Sequence, residues 1–325
     1  MNLRTIKSVV KGTFASSWGW RLLGPALRAP GVIVLMYHHI GDGRGRAGLP
    51  VSTFATQMRW LRDNCDPIEP EAVRDRARGA RTLRPAVLVT FDDGYRSYHD
   101  LAYPVLKRER IPAAVFLATS FLDEGGTIWT ERLQAAVLST TRTEIKLPWA
   151  DGPAIPISDP SGRAALGERM RAHLKSLPDP ERRALFAALL AELGEAPAGE
   201  REMLTWDEVR RTMDLTRYGG HSHTHPILSR LDRAQAEYEI RTCRDRIAQE
   251  TGQTPTTFAY PNGRPADYTP ETQAVLREHG FTTAFATTEG IAGSGTDWMA
   301  IKRLPGDAES VADFAWLAAG LSRAS

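Results

Sequence analysis

The sequence predicts an α/β fold in which a parallel sheet closes into a barrel. Three observations carry it: seven short apolar runs, amphipathic stretches between several of them, and a polar or turn residue closing each run. The runs span 32–37, 86–91, 113–118, 215–220, 257–260, 283–287 and 299–304. Each is short and bounded by Gly, Pro or polar residues, which fits buried strands better than helices. Between them, 53–64 places Phe54, Met58 and Leu61 at helical spacing. Residues 232–252 do the same with Ile240, Cys243 and Ile247 and stop at Gly252, and 270–280 reads alike. Strand–helix alternation favours parallel pairing with helices outside, and about seven strands suit a barrel better than a short open sheet.

One stretch breaks this rhythm. Residues 121–205 read as a helix at 129–138, a hairpin at 144–157 and two charged helices at 163–176 and 180–193. A structureless loop of that length is implausible, so it is an insertion forming a lid or an extra wall. The expected organisation is a basic segment at 1–30 followed by one barrel at 31–325.

Composition narrows the function. The 325 residues are 42% apolar and 25% charged with net charge +2, which excludes disorder and argues against a dedicated nucleic-acid binder. No apolar run reaches the roughly 20 residues of a membrane-spanning helix. Cys65 and Cys243 are too few for a disulfide framework or a Cys-rich zinc site, and both read as buried thiols. The charge is uneven. Arg4, Lys7, Lys11, Arg21 and Arg28 precede the first acid, Asp42, leaving 36 basic against 39 acidic side chains elsewhere. Leu3, Ile6, Val10, Phe14, Trp18 and Leu22 recur at three- and four-residue steps among those cations. That is the pattern of a basic amphipathic helix, with peripheral membrane contact through residues 3–28. The alternative is a helix packed on the barrel or the insertion; Gly12, Gly19 and Gly24 weaken a continuous one. Lys11 interrupts the only early apolar run, which argues against a secretory signal.

Four motifs carry chemistry. Thr90-Phe91-Asp92-Asp93-Gly94-Tyr95 puts two carboxylates at a strand end, where α/β barrels gather catalytic groups. The competing reading is a capping Asp and a turn Gly. His221-Ser222-His223-Thr224-His225-Pro226 places His221 and His225 four apart; on one helical turn both imidazoles share a face and point His223 elsewhere. With Asp93 they complete a two-His, one-carboxylate set that leaves positions open, as catalytic zinc requires; Co, Fe, Ni and Mn suit the same donors. Phe258-Ala259-Tyr260-Pro261-Asn262-Gly263 ends a strand in a tight turn, either a plain turn or one exposing backbone N–H groups to an oxyanion. Met36-Tyr37-His38-His39 ends the first strand; its histidines are a general acid or a hydrogen-bonded pair at the barrel mouth.

In this order and spacing the motifs resemble the polysaccharide deacetylases, the NodB homology domain of carbohydrate-esterase type, over about 32–305. The third motif is similar to that of the biofilm poly-N-acetylglucosamine deacetylases. The resemblance implies a distorted (β/α)7 TIM-like barrel and metal-assisted hydrolysis of an N-acetyl group on an amino sugar, releasing acetate. It implies Asp92 as general base, Asp93, His221 and His225 as metal ligands, and the Tyr260 N–H in the oxyanion hole. Many members carry a late His as general acid, but His279 is the only His after His225 and falls at a helix end. The branch with a Tyr-His pair after the first strand implies His38 instead, with His39 the fallback. Arg303, in Lys302-Arg303-Leu304-Pro305, either orients Asp92 or is a surface charge. Trp129 and Trp206 resemble positions in surface-polysaccharide deacetylases, although Trp is more often core than sugar platform, and the core reading is preferred for Trp206.

The expected function is therefore a cytoplasmic enzyme, peripheral on the inner membrane face, acting on an N-acetylated sugar or glycan, including a polyprenyl-linked one. A deformylase or O-deacetylase shares the metal chemistry. A catalytically dead sugar-binding protein would lack one of the acids or histidines, and none is missing. Oligomeric state is not legible.

Overall fold

The computed structural model describes residues 30–42, 48–79, 84–150, 152–157, 159–197 and 201–320; the basic segment at 1–29 lies outside them. Seven parallel strands close a ring: β1 (Val32–Tyr37), β2 (Ala86–Phe91), β3 (Ala113–Leu117), β4 (Thr216–Gly220), β5 (Thr257–Ala259), β6 (Thr283–Glu289) and β7 (Ile301–Pro305). Each pairs with its successor, and β7 returns to β1 through Leu35↔Leu304 and Met36↔Pro305. All seven coincide with the apolar runs within a few residues.

Strand alternation sorts the side chains into two layers. Val32 and Val34 of β1, Leu88 of β2, Phe116 of β3, Phe285 of β6 and Ile301 of β7 fill the interior. Ile33, Leu35 and Tyr37 of β1 and Val87, Val89 and Phe91 of β2 face outward onto Phe54, Met58 and Leu61. Those three belong to the helix Val51–Asn64, on the apolar stripe its sequence shows. Gly219 in β4 has no room for a side chain, since a Cβ there would lie 2.6 Å from the Phe116 ring and 2.7 Å from the Thr257 carbonyl oxygen. The helix Arg233–Thr251 starts at a reciprocal Asp232–Gln235 cap and stops at left-handed Gly252.

The stretch after β3 folds around its own core. Helices Trp129–Ser139, Pro160–Ser176 and Asp179–Leu193 and a hairpin pairing Glu144–Ile145 with Ile155–Pro156 bury Leu133, Val137, Met170, Leu174, Phe186 and Leu189 together. Its exit is pinned to the loop after β2: Arg96 N–H donates to Glu202 O and Leu204 N–H to Gly94 O. The loop carrying Asp92 and Asp93 is thereby tied directly to the insertion.

Candidate active site

The site sits at the carboxyl ends of the strands. Continuing the inward series of β2 from Leu88 through Thr90 brings Asp92 to the barrel mouth, and on β7 the inward series Ile301, Arg303 brings up a guanidinium. Arg303 is fully buried and grips Asp92 with two bonds, Nη1 to Oδ1 and Nη2 to Oδ2, both 2.7 Å. Arg303 Nε donates to the Ala286 carbonyl and Nη1 also to Thr90 Oγ1, whose hydroxyl donates to Leu35 O. Burial alone pushes the Asp92 carboxyl upward; the Arg303 charge and its hydrogen bonds more than offset that and hold it below the usual range. Of the two readings of Arg303, surface charge and partner of Asp92, the geometry is that of the partner.

Asp93 follows with φ of 75°, a left-handed conformation that turns its side chain away from that of Asp92. Its Oδ1 meets His221 Nε2 at 3.1 Å and His225 Nε2 at 3.2 Å. The expected single helical turn for these histidines is corrected: residues 221–227 form a loop after β4, not a helix. Ser222 and His225 adopt left-handed φ of 63° and 58°, and the His225 N–H donates to Ser222 Oγ. Loop strain, rather than helical periodicity, converges the rings to 5.0 Å between centroids.

The trio fits a divalent cation. One ligating atom from each of Asp93, His221 and His225 lies within 4.8 Å of the others, and all three residues are buried. His221 Nδ1 lies 2.7 Å from the Ala259 carbonyl, so Nδ1 carries the proton and Nε2 presents its lone pair to the centre. Burial would raise the Asp93 carboxyl, but hydrogen bonding to the two imidazoles holds it well below the usual range. Burial lowers His225, whereas for His221 the nearby carboxylates outweigh burial and raise it.

These groups line a cavity of about 230 Å³ with His38, His39 and Asn262. His38 Nε2 stands 3.8 Å from Asp92 Oδ2 with its side chain 45% exposed, at the mouth. His39 lies against Tyr95 with ring centroids 3.5 Å apart and planes tilted by 31°. Tyr260 is the expected site residue that does not reach the cavity. Its N–H donates to the Phe285 carbonyl in the barrel ladder, and its hydroxyl donates to Met299 O in the core. The amide expected to receive an oxyanion is already committed. His279 faces Glu237 at 3.5 Å, away from the site. Trp129 packs on Phe186 and beneath Arg182, and Trp206 donates to Asp123, so both are structural. Cys65 and Cys243 are both buried, as the sequence led us to expect, and burial pushes the Cys243 thiol up to about 12.

Some contributors carried no motif. Buried Glu239, on the helix Arg233–Thr251, accepts from the N–H groups of His223 and Thr224 at 2.8 and 2.7 Å and from the Thr224 hydroxyl, clamping the histidine loop. The insertion supplies a cavity wall with Ile128, Thr130, Glu131, Arg171 and Lys175. Helical spacing at Arg171 and Lys175 was the only available signal, and it reads equally as a solvated face.

A barrel of this topology with two carboxylates and two histidines gathered at its mouth is the framework of a hydrolase, and the comparisons assign the family. The family model "Polysaccharide deacetylase" matches residues 79–154 and 164–284, more than half of the chain, which therefore belongs to the polysaccharide deacetylase family. YxkH of Bacillus subtilis (strain 168) is 37% identical over 86 residues, 26% of this chain and 30% of that protein. The poly-beta-1,6-N-acetyl-D-glucosamine N-deacetylase of Escherichia coli (strain K12) is 30% identical over 98 residues, 29% of this chain and 15% of that protein. The matched stretch thus spans less than a third of either relative. Among solved structures, IcaB from Ammonifex degensii aligns with TM-score 0.59 at 20% identity, covering 90% of this chain and 98% of that one. The Streptococcus pyogenes deacetylase PplD aligns with TM-score 0.56 at 17% identity, covering 84% and 91%. These two likenesses establish the barrel fold.

Proposed function

We propose that the chain is a metal-dependent de-N-acetylase that removes an acetyl group from an amino sugar of a cell-surface glycan. The observation carrying this reading is the juxtaposition of two differently held carboxylates: Asp92 locked by Arg303, and Asp93 facing His221 and His225. A divalent cation held by Asp93, His221 and His225, zinc being the ion best suited to these donors, would supply Lewis acidity toward the acyl carbonyl and water. Asp92, kept ionised and oriented by Arg303, takes a proton from the attacking water as its oxygen adds to the carbonyl carbon. The carbon–nitrogen bond then breaks, and the nitrogen leaves as an amine only if it gains a proton. His38, at the mouth beside Asp92, is placed to give it. Tyr260 has no part in this scheme.

The family and the similarity to a poly-N-acetylglucosamine N-deacetylase support an N-acetylated glycan as substrate. A cytoplasmic, membrane-peripheral site of action and a polyprenyl-linked substrate rest on the basic amphipathic pattern of residues 3–28. Co-flotation of the full chain with anionic vesicles, lost when Arg4, Lys7 and Lys11 become Gln, tests the membrane contact. The reaction is tested by acetate release from N-acetylglucosamine oligomers with metal-reconstituted protein. Release of formate from formylated amino sugars in its place would redirect the reading to a deformylase; no turnover of any N-acyl or O-acyl sugar would end it.

A further inference from the structure

The cavity wall built by the insertion is charged in a way that deacetylation does not require. Arg171 and Lys175 are four apart on the helix Pro160–Ser176, so both project from one face, flanking the stripe of Leu166, Met170 and Leu174 buried in the insertion core. That face lines the cavity shared with Asp92, Asp93 and the histidines. Arg171 also pairs with Glu168. Lys175 is half-buried and makes no ion pair or hydrogen bond among the described residues. A half-buried ammonium held by no direct ion pair or hydrogen bond is costly. Consistently, burial first, then the neighbouring charges of Arg171 and Arg264, lower its pKa against the weaker opposing pull of Asp267 and Asp93.

The charge balance points the same way. Of the lining carboxylates, Asp92 is paired with Arg303 and Asp93 faces His221 and His225, so with a divalent cation bound Arg171 and Lys175 would share the wall with Glu131 as the remaining lining carboxylate. A helix-end cation that serves only the helix dipole belongs in solvent, not on a cavity wall. Building on the deacetylase reading, we propose that Arg171 and Lys175 form a subsite for an anionic group, so that the preferred substrate carries a phosphate or carboxylate beside the N-acylated sugar.

The test uses the zinc-reconstituted full chain and kcat/KM for acetate release from three substrates: a neutral N-acetylglucosamine disaccharide, N-acetylglucosamine 1-phosphate, and a disaccharide of N-acetylglucosamine with glucuronic acid. At least one charged substrate should exceed the neutral one by about 10-fold, through KM. The arm that does so identifies phosphate or carboxylate as the group read. Lys175→Gln and Arg171→Gln should each narrow that ratio, whereas Lys175→Arg should keep it. A ratio near one in the wild type, or one unchanged in the Lys175→Gln, Arg171→Gln double variant, overturns the subsite and leaves deacetylation standing. No acetate from any of the three overturns both.

Discussion

Arg303 and Asp92 meet in a two-bond fork at the barrel mouth, both side chains out of solvent, joined across the ring from β7 to the end of β2. Charge, orientation and hydrogen bonding of the carboxylate are thus set by one residue far away in sequence. Breaking the pair should act on stability and on catalysis separately. Arg303→Met leaves a buried carboxylate uncompensated and should cost about 3–5 kcal/mol in denaturant unfolding. Arg303→Lys keeps a charge but not the fork. Its surviving activity should show the acid limb of kcat/KM at higher pH, because Asp92 loses the hydrogen bonds that lower its pKa. An unmoved acid limb would detach Arg303 from the base.

Acid should weaken the fold through the same pair. The folded-state pKa of Asp92 lies below its ordinary value of about 3.9, so the pairing contributes stability above that value and loses it as pH falls through the lowered folded pKa. Asp92→Asn should therefore be less stable than the wild type at pH 7, and the gap should shrink below about pH 4. Urea titrations across that range, with chelator present, measure it. A gap constant with pH would contradict the assignment.

Removing the clamp on the histidine loop should loosen the metal centre without touching a ligand. Glu239→Ala withdraws an acceptor from two loop amides and a hydroxyl. Metal affinity should fall about 10- to 100-fold, the usual cost of losing a partner that orients ligands. Competition with a chromophoric chelator reads this directly; wild-type affinity would show that the loop holds its shape unaided.

His38→Gln should lower kcat by about 10²-fold or more while metal content stays normal. His39, held against Tyr95, should be far less sensitive in the same assay. If the two substitutions exchange these outcomes, the general acid is His39.

Much of this was legible in the sequence, for identifiable reasons. β1, β2 and β3 are nearly continuous apolar runs because they are covered on both faces, by the barrel interior and by helices. Asp92, Asp93, His221 and His225 stood out because two short motifs bring them to strand ends. Their local geometry was not legible: counting His221 and His225 at i and i+4 presumes right-handed helix, and Ser222 and His225 are left-handed. The expectation for Tyr260 fails because its motif cannot show that its amide is bonded to Phe285. Glu239 reaches the histidine loop only through tertiary placement, which leaves no pattern in a single sequence, and Lys175 carries only a helical spacing that reads equally as a solvated face.

The central claim is that Asp92 does chemistry while Asp93, His221 and His225 hold a metal. One paired measurement addresses it: metal content by elemental analysis and acetate release from N-acetylglucosamine oligomers, on the same samples of wild type, Asp92→Asn and His221→Ala. The account predicts that Asp92→Asn keeps wild-type metal while turnover falls about 10²- to 10⁴-fold, and that His221→Ala loses both. Substantial activity in Asp92→Asn, or full metal occupancy in His221→Ala, would contradict it.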